Sequence, residues 1–157
     1  MVLRGARPGD APAVAAMHGR CSMDTVFRRY LCAGPAVSPA WQARLLTTTV
    51  ALVAVDDRAA VRAMGNISER SEQEAELAVL VEDAYQGRGL GTTMARHLAA
   101  AARLAGYATL RMELLPSSTA AAHVAGALGP SVVQEGQGIL TRTLRLRVET
   151  LAGLAAA

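Results

Sequence analysis

Apolar and polar positions along the chain divide it into short strands and helices in alternation. Val2 to Arg7 is a short apolar strand closed by Pro8-Gly9. Asp10 stands where a helix N-cap is expected, ahead of a helix that runs through Ala16 and His18 to about Arg20. A second helix follows Ser22, with Val26, Phe27, Tyr30 and Leu31 at helical spacing, and stops near Gly34-Pro35. Ser38 and Pro39 read as the cap and first turn of a third helix carrying Trp41 and Leu45. Thr48 to Val55 is β-branched and apolar, Asp56-Asp57-Arg58 is a turn, and Ala59 to Ser68 is the hairpin partner. The polar run Glu69 to Glu74 is a loop.

The second half turns on one stretch. Ala75 to Val81 reads as a strand; Gln86, Gly87, Arg88, Gly89, Leu90 and Gly91 form a glycine-rich turn; a helix begins near Thr92 and continues to Ala105. Ala108 to Leu115 is a further strand, broken at Pro116. Ser118 or Thr119 caps a helix that ends at Leu128-Gly129-Pro130. Ser131 to Gln137 and Ile139 to Val148 close the fold as two strands, and alternation of Leu144, Leu146 and Val148 with Arg145 and Arg147 predicts one buried and one wet face. This order is mixed α/β (α+β): an antiparallel first half, then a strand–helix–strand crossover. Residues 1–150 are expected to form one domain and 151–157 a C-terminal tail.

Composition narrows the function. At 157 residues with 52% hydrophobic positions, the chain can bury a core without metals or disulfides. No apolar run approaches the roughly 20 residues that span a bilayer, and the N-terminus lacks a secretory apolar segment, so a cytoplasmic location with no membrane partner is expected. Cys21 and Cys32 are read as reduced packing thiols. The scattered His18, His97 and His123 offer no metal-ligand spacing. All 16 basic residues are arginine, and the net charge is only +3. With few aromatics among the arginines, nucleic acid is not an expected partner. The absence of lysine excludes a Schiff-base mechanism and the phosphate-gripping lysine of a P-loop.

Glycines let the backbone bend tightly and approach a ligand closely, and a helix starting directly after them aims unpaired N–H groups at an anion. A dinucleotide fingerprint would need a sixth-position glycine, but from Gly87 that position is Thr92. Gln86, Gly89 and Gly91 instead form Q-x-x-G-x-G between an apolar strand and a helix, which resembles the acetyl-CoA motif of the GNAT superfamily of N-acetyltransferases. The opening R-x-A-R-P-x-D (Arg4 to Asp10) and the closing Leu128-Gly129 fall where that family has them. AELAVLVEDAYQGRGLGT, the ELLP of Glu113 to Pro116, and RPGDAPAVAAMHGRCSMDTVFRRY resemble the catalytic domain of bacterial protein lysine acetyltransferases.

The resemblance implies a GNAT fold, with a mixed central sheet of about six to seven strands flanked by helices, and acetyl-CoA as co-substrate. Backbone N–H groups from Gln86 to Thr92, with the charge of Arg88, would hold its pyrophosphate. Backbone near Val79 and Val81 would hold the pantetheine arm, and an N–H there would stabilise the oxyanion. Glu76 matches the general base of the lysine-acetyltransferase group. An unperturbed lysine costs about 4.6 kcal/mol to deprotonate at pH 7, against about 1.1 kcal/mol for an α-amino group, so a lysine acceptor has the greater need of a base. Inward-facing Ala78 and Leu80 would leave Glu76 partly buried, which would raise its pKa; the competing reading is a strand-edge glutamate paired with an arginine. Glu82 and Asp83 are read as solvated. Ala125 falls in the slot of the tyrosine that many members use as acid, Ser118 replaces the usual asparagine, and Pro130 replaces an aromatic. The expected acceptor is a protein lysine or a small-molecule amine; a non-catalytic acyl-CoA-binding module is the alternative from another class, and assembly as a homodimer is open.

Overall fold

A computed structural model describes residues 1–32 and 38–146. The expected helix stop at Gly34-Pro35, the positions of Arg147 and Val148, and the C-terminal tail lie outside the described residues. The strands are β1 (Val2–Gly5), β2 (Val50–Val55), β3 (Val61–Glu69), β4 (Glu74–Val81), β5 (Thr109–Leu114), β6 (Ser131–Gly136) and β7 (Ile139–Arg145). The helices are α1 (Ala11–His18), α2 (Met23–Tyr30), α3 (Pro39–Leu45), α4 (Leu90–Leu104) and α5 (Thr119–Gly126). All seven strands join one sheet in the order β1-β2-β3-β4-β5-β7-β6. Pairing is antiparallel from β1 to β4 and from β5 to β6, and parallel between β4 and β5, where α4 makes the crossover.

Local chemistry sets the boundaries. The Ser22 and Ser38 hydroxyls accept from Thr25 N–H and Trp41 N–H and start α2 and α3 as expected. Asp10 departs from its expected role: it precedes α1 without capping it, because its carboxylate accepts from Arg7 N–H and pairs with Arg4 at 2.8 Å. Arg4 holds that carboxyl below the usual range, and the pair fastens β1 to the turn over Pro8–Asp10. Gln137 and Gly138, at φ 52 and 75, form the two-residue turn between β6 and β7.

Period-two alternation sends the two faces of the sheet to different cores. Ala63, Ile67, Ala75, Leu77, Leu110, Met112 and Leu144 pack with Met94, Ala95, Leu98 and Ala102 of α4. Val53, Val61, Met64 and Leu80 pack with Val14 and Met17 of α1 and Leu45 of α3. Gly65 is what lets α4 lie close: a Cβ there would stand 2.7 Å from Leu98 Cδ1 and 2.9 Å from Met94 Sδ. The alternation expected at the end of the chain holds over β7, where Leu144 is buried and Arg145 exposed.

Candidate active site

The sheet is open in its middle. β4 and β5 pair only over Glu74–Thr109, Ala75–Leu110 and Glu76–Arg111, although β4 continues to Val81 and β5 to Leu114. β3 continues to pair with β4 as far as Val81, and β7 with β5 as far as Leu114. The two half-sheets therefore diverge toward the C-terminal ends of β4 and β5. Glu82 N–H donates to Arg62 O on the β3 side, so strand alternation turns the backbone of Val79 and Val81 toward the gap. Hydrogen-bonding groups on a strand edge need partners. The Val81 carbonyl takes one from Gln86 Nε2 at 3.0 Å.

The glycine turn lies at the mouth of this gap. Gly87 and Gly89 have φ 71 and 78, in the left-handed region that a side chain disfavours. This geometry brings the chain straight from Gln86 into α4, which starts at Leu90 rather than Thr92, so Gly91 and Thr92 belong to its first turn. Gly89 precedes the helix without a side-chain cap, and the first intrahelical bond runs from Thr93 N–H to Gly89 O. The N–H groups of Leu90, Gly91 and Thr92 are thus left for an anion. Arg88 is exposed and lies over the Tyr85 ring at 5.4 Å. Across the mouth, a Cβ on Gly91 would meet Val124 of α5 at 3.7 Å, which places the start of α4 beside the last turn of α5. Ser118 precedes α5; it is 6% exposed, and its hydroxyl makes no capping bond.

On the face opposite α4, Glu76 sits at the last residue paired between β4 and β5, the vertex of the gap. It shares that face with Ala78 and Leu80, as expected, but its carboxylate is 28% exposed and pairs with Arg70 at 3.3 Å. The alternative of an arginine-paired glutamate thus also describes its resting state. Ser68 stands opposite Glu76 and Asn66 opposite Ala78 on β3. Arg29 of α2 reaches this face, donating from Nη2 to Asn66 Oδ1 at 2.6 Å, while Asn66 Nδ2 donates to Ser68 Oγ. Burial pushes the Arg29 guanidinium down, against the charges of Tyr30 and Glu76.

Tyr30 and Trp41 differ in their burial. Tyr30 packs on the second core, edge-on to a half-exposed Trp41 at 5.0 Å. His18 Nδ1 donates to the Val14 carbonyl at 2.8 Å; in the neutral ring Nε2 then accepts from the Tyr30 hydroxyl at 2.6 Å. Burial lowers the His18 pKa and pushes Tyr30 up to about 12. His123 is on α5, and His97 bonds the Thr93 carbonyl within α4.

Two residues read as solvated prove to be structural. Glu82 is 5% exposed and accepts from Arg20 Nε at 3.0 Å and Arg62 Nη1 at 2.9 Å. Asp83 is exposed, yet it accepts from Ser22 N–H, Ser22 Oγ and Thr25 Oγ1, each at 2.8 Å. Partial burial alone would raise the Asp83 pKa, but the bonds from Ser22 and Thr25 outweigh it and hold the carboxyl below its usual value. Gln86 Nε2 adds a bond to Thr25 Oγ1 at 3.1 Å. The segment leading into the glycine turn therefore clasps the start of α2. Strand periodicity is uninformative here, because the partners lie from 20 to 62 positions away.

The residues suit acetyl-CoA: left-handed glycines and open helix N–H groups for phosphates, two backbone edges for an extended arm, and at Ser118 a hydroxyl not used to cap α5. No helix among the described residues is long and apolar enough to cross a membrane. Solved structures share the fold. The GNAT domain of S. lividans PAT superposes with a TM-score of 0.82 at 23% identity, over 92% of this chain and 89% of that one. The yncA protein of Salmonella typhimurium, solved with its cofactor acetyl-CoA, gives 0.72 at 20% identity, over 96% and 95%. Ribosomal-protein-S5-alanine acetyltransferase from Vibrio fischeri gives 0.72 at 17% identity, over 91% of each chain. No curated protein matches the sequence. The family model described as Acetyltransferase (GNAT) family matches residues 24–129, from α2 through the glycine turn to the end of α5. The chain belongs to the GNAT family of acetyl-CoA-dependent N-acetyltransferases.

Proposed function

We propose that this enzyme acetylates a protein lysine by direct attack of the amine, with Glu76 as general base. The observation that carries the reading is the position of Glu76 at the vertex where β4 and β5 part, on the face away from α4. A carboxylate there can take the proton of an amine entering from the α1–α3 side, directly or through water. Arg70 orients it in the resting state and is exposed enough to move aside. Acetyl-CoA supplies the activated acyl group. The N–H groups from Gln86 to Thr92 would hold its phosphates, with Arg88 adding charge. The backbone of Val79 and Val81 would hold the arm, and Ser118 would donate to it. Ala125 cannot supply a proton to the leaving thiolate, so that proton is assigned to solvent or to the amine itself. The likeness to the GNAT domain of a PAT supports a protein acceptor. We further take residues 1–150 as one domain working in the cytoplasm.

The test follows free-thiol release from acetyl-CoA with lysine peptides and with small amines, beside a thermal shift. Acetyl-CoA should stabilise the wild type and Glu76→Gln alike. Glu76→Gln should lower kcat by about 10²–10⁴ at pH 7. Its residual rate should climb with pH toward the lysine pKa near ~10.4, as the free-amine fraction grows. Unchanged kcat in Glu76→Gln would remove Glu76 as base, and turnover of small amines alone would move the acceptor class.

A further inference from the structure

Arg29, Arg70 and Arg111 all lie on the acceptor face among the described residues, and their pairing differs. Arg70 pairs with Glu76, and Arg111 pairs with Glu113 at 2.6 Å. Arg29, inserted from α2 over the middle of the sheet, has no carboxylate of the described residues within ion-pair distance. It meets the neutral Asn66 Oδ1 and the Tyr30 ring, 4.8 Å from the guanidinium carbon, and its buried Nε has no hydrogen-bond partner among the described residues. A half-buried cation with no carboxylate bonded to it is open to a further anion, and a guanidinium is built for two-pronged binding of a carboxylate. Asn66 fixes one prong in place, and Ser68 fixes Asn66 in turn. Asn66 lies diagonal to Glu76 across β3 and β4, a separation of about 7–8 Å between backbone positions.

We propose that Arg29 binds a carboxylate of the acceptor, so that the enzyme selects amines with an acidic group close by. The inference rests on the reading that the amine enters on the Glu76 face. For a protein substrate the carboxylate is an Asp or Glu side chain flanking the accepting lysine; for a free amino acid it is the α-carboxylate.

The experiment compares two capped lysine peptides that differ only in a flanking Glu or Gln, with free lysine and lysine amide as a second matched pair. The wild type should favour the Glu peptide by about tenfold in kcat/KM, the preference shrinking as salt is raised. Arg29→Gln should bring that ratio close to one, and Arg29→Lys should restore part of it. If the second pair shows the preference and the peptides do not, the carboxylate is the α-carboxylate. Binding gives a readout that needs no turnover: Trp41, the sole tryptophan, touches the ring under Arg29, so its fluorescence should report peptide affinity in the presence of CoA. Absent turnover with Arg29-dependent preference in binding would sink the catalytic reading and leave this one standing. Equal handling of all carboxylate and neutral partners by the wild type, or a preference retained in Arg29→Gln, would overturn it.

Discussion

Replacing Gly65 with alanine tests whether the sheet and α4 touch as closely as described. The new Cβ would stand 2.7 Å from Leu98 Cδ1, 2.9 Å from Met94 Sδ and 3.2 Å from the Ala78 carbonyl. The first two are ends of flexible side chains and can turn away, but the third is backbone of β4. Overpacking of this kind costs about 1–3 kcal/mol, and the lower chain entropy of alanine returns about 0.5–1 kcal/mol, so a net loss of about 1–2 kcal/mol is expected. For a chain of this size each kcal/mol is worth about 2–4 °C in Tm, which predicts a fall of roughly 2–8 °C. Thermal melts followed by circular dichroism measure it, with Gly5→Ala as control because its Cβ would meet nothing within 4 Å. Since α4 also presents the N–H groups of Leu90 to Thr92, acetyl-CoA should bind more weakly to Gly65→Ala. Combining it with Leu98→Ala should cost less than the sum of the two, because the added methyl enters the space vacated. A melting temperature at or above wild type would refute the packing described.

Other substitutions probe the remaining devices. Gly89→Ala meets no neighbouring atom but must adopt φ 78; it should cost about 1–2 kcal/mol and raise the KM for acetyl-CoA, measured by thiol release. Asp83→Ala removes three bonds from the start of α2 and should cost about 1 kcal/mol in urea melts. Because the folded pKa of Asp83 is depressed, its contribution is present above the ordinary carboxylate pKa of 3.8 and is lost as pH falls through the folded value. His18 has the same sense at a higher pH: its folded pKa lies below 6.5, so stability is full above 6.5 and declines as pH falls from there toward the folded value. His18→Phe should flatten that slope in melts taken across the same range. Iodoacetamide should label exposed Cys32 before Cys21, whose thiol burial pushes up to about 11; peptide mass spectrometry reads the order.

Much of this was legible because it is local. Gly87 and Gly89 announce left-handed backbone whatever surrounds them, Ser22 and Ser38 cap the residues beside them, and the alternation through Ala75 to Val81 reports its own faces. The unread part depends on strand register and helix placement. Nothing beside Arg29 in sequence reveals that it meets Asn66, and nothing beside Gly65 reveals that α4 crosses it. Glu82 and Asp83 look like a solvated acidic pair because their partners, Arg20, Arg62, Ser22 and Thr25, are far away along the chain. Glu76 was legible as sharing a face with Ala78 and Leu80, and pairing with an arginine was the competing reading, but that the partner is Arg70 was not, because it depends on how the loop after β3 folds back.

The parting of β4 from β5 has a mechanical consequence. Three residue pairs, together with the helices laid across them, join four strands to three. The protein is thus two half-sheets stitched by a short seam, with its weakest lateral bonding at its centre rather than at its margins. A molecule lying in the open length of the seam touches both halves, so its binding free energy also holds them together. Amide protons of Val79 and Val81 should therefore exchange readily in the free enzyme and slow on addition of acetyl-CoA, while those of the β2–β3 ladder change little. The co-substrate would act as a temporary suture for the sheet that binds it.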